Sequence, residues 1–182
     1  MKHILLVLGL CAASLDTLCA EPAFSRLTEC QLAGALHSVS LLRGQPILDD
    51  YVYRIQQSRK SAFLYEDLDS SRGSNVHWRC IALKKGVNVL LVTGEFSSNY
   101  LQSVLFHYDQ SAAKVRRISS TERNRPGWIG LTRHGPQVIY ENTGLESPHR
   151  YLIYGPHETY LELDSLPTFS GARGEVLMKL SP

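Results

Sequence analysis

Six histidines stand beyond residue 20: His37, His77, His107, His134, His149 and His157. They are the first candidates for metal or general-base chemistry. A metalloprotease helix needs two histidines four apart with a glutamate after the first, so that both imidazoles reach one zinc ion from one helical face. His157-Glu158-Thr159-Tyr160-Leu161 begins that pattern and breaks it, because Leu161 stands where the second ligand belongs. His149 and His157 could meet across the Tyr154-Gly155-Pro156 hairpin, but surface and turn histidines are far commoner than ligands, so no metal is expected. Nucleophilic catalysis finds no support either, since no serine sits in a G-x-S-x-G elbow. The glycines of "TGEFSS" and "FSGARGE" lack the strand–loop–helix setting of a phosphate cradle. Asp49-Asp50 and Glu66-Asp67 read as turn and strand-edge charges rather than a glycosidase pair. The expectation is no catalytic residue, no cofactor and no enzyme.

Sulfur is more informative. Cys11 and Cys19 fall in a leader-like stretch, and Cys30 and Cys80 lie beyond it. Met1-Lys2-His3 is a short basic start. Ile4–Ala13 is an apolar run of the length of a signal-peptide core, too short to span a bilayer. Ser14–Leu18 is more polar, and Ala20 before Glu21-Pro22 supplies a small residue for cleavage, so residues 1–20 are expected to be removed. A leucine precedes each early cysteine, where a lipidation signal needs a small residue. The surviving pair in an exported chain reads as one Cys30–Cys80 disulfide. Closing so long a loop is worth roughly 4 kcal/mol on the chain-entropy argument, against about 5–15 kcal/mol for a whole domain.

The absence of any Asn-x-Ser/Thr sequon fits a bacterial periplasm at least as well as a eukaryotic secretory route. A formal charge of +2 with scattered basic residues does not point to nucleic acid. No later apolar run reaches transmembrane length, so no stable membrane insertion is expected.

Three loops stand out by composition: Gly94–Tyr100, Thr121–Trp128 and Asn142–Tyr151. They mix aromatic, arginine and adaptable polar side chains, the types that carry binding energy at protein interfaces. The candidate partner-binding residues are Glu95, Phe96, Asn99, Tyr100, Arg123, Arg125, Trp128, Glu146, His149 and Arg150. Trp128 and Tyr151 also stand where they could begin strands as core residues.

The elements that must position these loops are short strands separated by turn chemistry. From Tyr51 on, the segments Tyr51–Ile55, Ala62–Glu66, Val76–Leu83, Val87–Thr93, Leu101–Asp109 and Lys114–Ser119 alternate or run apolar. "WIGLTR", "QVIYEN", "HRYLIYG", "ETYLELD" and "GEVLMKL" continue to the end. Turn-sized gaps argue antiparallel hairpins, because parallel strands need long crossovers. Phe24–Leu42 is open: Leu27, Cys30, Leu32, Leu36 and Val39 give a partial helical stripe, and a strand over His37–Leu42 fits nearly as well. Val89–Ile118 and Gln137–Leu163 echo each other, with Tyr108 and Tyr154 at equivalent places. The expectation is one mainly β domain over residues 21–182, a curved antiparallel sheet or sandwich of blade-like meanders with a possible short N-terminal helix.

"VLFHYDQSAAKVRRI" (Val104–Ile118) with "GWIGLTRHG" (Gly127–Gly135) resembles the blade-type unit of periplasmic immunity proteins of bacterial type VI secretion. The resemblance implies a small, exported, β-rich, disulfide-containing inhibitor that plugs the active-site cleft of a secreted toxin. The protein partner expected is therefore such a toxin. The alternatives are a periplasmic hydrolase with a spatially assembled site, for which His149, His157 and a carboxylate would share one pocket, and an envelope interaction module, for which a sheet edge or apolar patch would lie exposed.

Overall fold

The computed structural model describes residues 23–34, 37–96, 100–144 and 147–181. The expected leader, with Cys11 and Cys19, lies outside them. The chain is almost wholly antiparallel β. Strands β1 (Ser25–Ala33), β2 (His37–Ile47), β3 (Asp50–Gln57), β5 (Arg72–Lys84), β6 (Val87–Glu95), β7 (Leu101–Asp109) and β8 (Lys114–Glu122) pair in the order β1-β2-β3-β5-β6-β7-β8, and β4 (Lys60–Phe63) branches off β3. A second sheet has the order β12-β11-β10-β9-β13, from β9 (Trp128–Thr132), β10 (Gly135–Glu141), β11 (Tyr151–Tyr154), β12 (Tyr160–Leu163) and β13 (Val176–Lys179).

No α-helix occurs among the described residues, so the segment that sequence left open resolves as β1 and β2. Its apolar residues obey a period of two: Cys30 and Leu32 on β1, and Val39 and Leu41 on β2, are all at most 1% exposed. Gly34, at φ 58°, begins the reversal that brings Cys30 opposite Val39. The helical stripe was a coincidence of spacing across a hairpin.

Three β layers stack, and β6 and β7 lie in the middle one. Leu90 and Val92 of β6, with Val104 and Phe106 of β7, pack on Leu41, Tyr53 and Ile55 from the first layer. The alternate residues Val89, Leu91 and Leu105 pack on Ile129, Val138 and Leu152 of the second sheet. Burial on both faces explains why "VLLVTG" and "SVLFH" read as continuous runs instead of alternating. The outer face of the second sheet, at Ile139, Tyr151 and Ile153, is covered by Leu166 and Phe169 from the segment after β12.

The first sheet bends so that β1–β3 cover β6 and β7. β5 makes the corner: its start pairs with β3, the rest pairs with β6, and the register shifts between Ser74 and His77, where Asn75 has φ 50°. The Cys30–Cys80 disulfide joins β1 to β5 across this fold, with Cα atoms 5.4 Å apart. Asn88 Nδ2 donates to the Gln31 carbonyl at 2.6 Å and holds the same overlap. The two halves of the sequence echo are each a paired meander, β6-β7-β8 and β10-β11-β12, with Tyr108 on β7 and Tyr154 on β11.

A row of buried hydroxyls between the middle and outer layers is matched. Thr93, Ser103 and Ser120 stand in one cross-strand row. Thr93 Oγ1 meets Ser103 Oγ at 2.9 Å, and Ser120 Oγ meets the Tyr140 hydroxyl at 2.7 Å. Burial pushes the Tyr140 hydroxyl up to about 12. Tyr154 donates to Glu122 Oε1 at 2.5 Å, and its own pKa rises through burial and that carboxylate.

Candidate functional site

Within β5–β8 and within β9–β12 every strand reverses its predecessor, so alternate connections fall at the same end of each sheet. Asn124 of the β8–β9 connection, bonded to the carbonyl of Glu141 at the end of β10, aligns the two sets. The connections β6–β7, β8–β9 and β10–β11 therefore share one end, here the loop end. These are the three loops that composition singles out. Contacts tie them together. Arg123 donates to the Tyr100 hydroxyl at 3.2 Å and lies over its ring at 5.1 Å, joining the first loop to the second. Asn124 Nδ2 donates to the Glu141 carbonyl at 2.7 Å, joining the second loop to β10. Arg150 makes a forked contact with Glu141 Oε1 at 2.9 and 3.2 Å, and this hydrogen bonding holds its guanidinium above its ordinary pKa.

The β2–β3 hairpin reaches the same end. Its tip, Leu48-Asp49, is a two-residue turn between paired Ile47 and Asp50. Arg72 holds the base of this tip, through Nε to Asp50 at 2.9 Å and Nη2 to the Ile47 carbonyl at 3.3 Å. Leu48 has φ 57° and is 86% exposed, with Ile47 beside it at 40%. An open groove of about 530 Å³ runs from Asp50 and Arg72 to Glu95, Tyr100 and Arg123. The loop end thus offers a stapled apolar tip, a Tyr–Arg pair and a polar groove between them.

The predicted residues divide by environment. Glu95, Tyr100, Arg123, Arg125 and Arg150 are exposed here, and His149 is half-buried with Nδ1 3.0 Å from Asp164. Arg125 donates to the Asn75 carbonyl at 3.4 Å. Phe96 is a correction: it is 8% exposed and packs edge-on against Tyr53 and Tyr65, so its ring belongs to the core. Gly73 and Gly94 leave room for it, since a Cβ at Gly73 would sit 2.6 Å from the Phe96 ring. Trp128 lies edge-on to buried Tyr151 and joins the packing on the outer face of the second sheet, beneath Leu166 and Phe169, which is the core role sequence left open for both. Asn99 and Glu146 lie outside the described residues.

His149 and His157 do not meet. They flank opposite ends of β11: His149 precedes Tyr151 at the loop end, and His157 follows Tyr154 at the other. Among the described residues no group of three His, Cys, Asp or Glu side chains is placed to hold a metal ion. None of their helices is long and apolar enough to cross a membrane.

Sequence reasoning missed Ile47, Leu48 and Arg72. Its available signal was "PILDD", an apolar turn with no glycine or asparagine to take the positive φ. Compared with known proteins, the chain matches no family model, no curated protein and no solved structure.

Proposed function

We propose that this chain is an exported protein-binding inhibitor whose loop end enters a partner's cleft, acting as a periplasmic immunity protein against a cognate secreted toxin. The observation that carries the reading is Leu48. A bulky side chain on a left-handed backbone is strained by roughly 1–2 kcal/mol, and at 86% exposure it gains no compensating burial within its own fold. Covering a leucine fully is worth about 1.5–3 kcal/mol. A partner that encloses the tip recovers that energy, and Arg72 keeps the tip rigid so that little ordering entropy is lost on docking. Tyr100 and Arg123 beside the groove are the residue types that anchor protein interfaces. The leader-like N-terminus and the disulfide support action outside the cytosol.

The test is protection. Cells lacking the gene should lose viability beside toxin-delivering sibling cells, and the wild-type gene should restore it. Leu48→Asp should accumulate as folded protein and fail to restore growth. Unchanged growth on deletion would overturn the inhibitor reading. A second reading, an envelope interaction module, has its own observation: among the described residues β12 pairs only with β11, and it exposes Tyr160 and Leu161 at 45% and 46%. A defect produced by Leu161→Lys but not by Leu48→Asp would favour it.

A further inference from the structure

The opposite end of the stack, the turn end, holds a second concave feature. The β5–β6, β7–β8, β9–β10 and β11–β12 turns surround a cavity of about 360 Å³. That is within the range of pockets that enclose small molecules, about 300–1,000 Å³. Its wall is part apolar, from Leu32, Val89, Leu131, Pro136 and Pro156. Its rim carries Lys84, Arg133, His134 and His157.

The charge balance there is one-sided. Among the described residues, neither Lys84 nor Arg133 has a carboxylate within 4.0 Å. Asp109, the one acid on the cavity wall, is already committed. It accepts from the Ser111 amide and hydroxyl and the Ala112 amide, and it pairs with Arg116 at 2.8 Å. Arg133 Nε donates to His134 Nε2 at 2.9 Å, which leaves the two terminal nitrogens of the guanidinium for another acceptor. His107 lines the same cavity at 5% exposure, and its buried Nε2 has no partner among the described residues. Arg59, Lys60, Lys85 and Lys114 stand at neighbouring turns, against the acids Asp109, Glu158 and Glu175 at this end, so the cations outnumber the acids and the field over it favours anions.

We propose that this cavity binds a small organic oxyanion, a carboxylate or phosphate on a compact apolar body. Lys84 and Arg133 would take the charge, and Leu131, Val89 and the two prolines would cover the body. The site is separate from the loop end and leaves it free.

Amide-resolved NMR titration of the disulfide-bonded chain at constant ionic strength tests this, with inorganic phosphate and benzoate as the probes. Saturable shifts confined to residues 84–88, 107–111, 131–135 and 156–158 are expected. Lys84→Met with Arg133→Met should weaken binding at least about tenfold, as loss of charge-assisted hydrogen bonds requires. Lys60→Met, outside the cavity, should leave it unchanged. The single changes Lys84→Gln and Arg133→Gln, at exposed side chains, give the same direction should the double variant lose its dispersed spectrum. Shifts that fail to saturate, or equal weakening by Lys60→Met, would overturn the proposal. So would binding only to vesicles containing phosphatidylglycerol with no response to either soluble anion, which would mark a diffuse membrane-facing charge instead. Retention of anion binding in Leu48→Asp keeps this result distinct from the fate of the loop-end reading.

Discussion

Leu48 and His107 show how a single side chain can work against the stability of the fold. At Leu48, replacement by glycine removes the left-handed strain, because glycine adopts positive φ at no steric cost. Leu48→Gly is expected to raise stability by up to about 1 kcal/mol in urea denaturation while abolishing protection. The gain is partly offset by the greater freedom of glycine in the unfolded chain. Lower stability together with full protection would remove Leu48 from the interface. His107 is buried, and burial depresses its pKa below the usual 6.5. The unfolded chain therefore takes up the proton first as pH falls. The contribution of His107 is complete above about pH 6.5 and declines as pH drops towards the folded-state value. Thermal midpoints recorded from pH 7.5 to pH 5 should fall less steeply in His107→Gln than in the wild type.

Individual elements depend on close approaches that only small residues allow. Gly130 on β9 faces Phe169, which covers the outer sheet, and a Cβ there would lie 2.5 Å from the ring. Gly130→Ala should cost about 1–3 kcal/mol through overpacking. Adding Phe169→Leu should return part of that loss, and a double-mutant cycle by chemical denaturation measures the coupling. The boundaries of β7, Leu101–Asp109, were legible in sequence because a polar turn follows an unbroken apolar run. The reach of β4 was not: it ends at Phe63, and Leu64 instead turns into the core, donating its amide to the Tyr53 carbonyl at 3.0 Å. Local strand propensity in "AFLYE" could not show that Arg117, on distant β8, would donate to the Leu64 carbonyl at 2.8 Å and hold the chain there.

For the molecule as a whole, alternating strand direction sorts function by end. Polar–aromatic loops gather at one end and cationic turns at the other, although the two kinds of connection alternate along the sequence. The covalent tie is equally global. Cys30–Cys80 fastens the edge strand β1 over the middle layer, and the loop it closes spans 50 residues. Reduction, or paired Cys30→Ala and Cys80→Ala, should lower stability by roughly 2–4 kcal/mol, read as a lower urea midpoint in dithiothreitol. An unchanged midpoint would place the stability of the overlap in the packing of Leu32, Val39 and Leu41 alone.

By itself the sequence determined the antiparallel strands, their hairpin connections, the sulfur pair and the three loops of unusual composition. Each of these follows from local alternation, turn chemistry or cysteine count. The tertiary structure decided the rest: that Ser25–Ala33 and His37–Ile47 pair as antiparallel strands, that Phe96 is core while Leu48 projects, and that His149 and His157 stand apart. It also decided that four turns enclose one cationic cavity. Burial and the neighbourhood of charges depend on which face of which sheet packs against another. That choice is made by contacts between residues far apart in the chain, where no local pattern reaches.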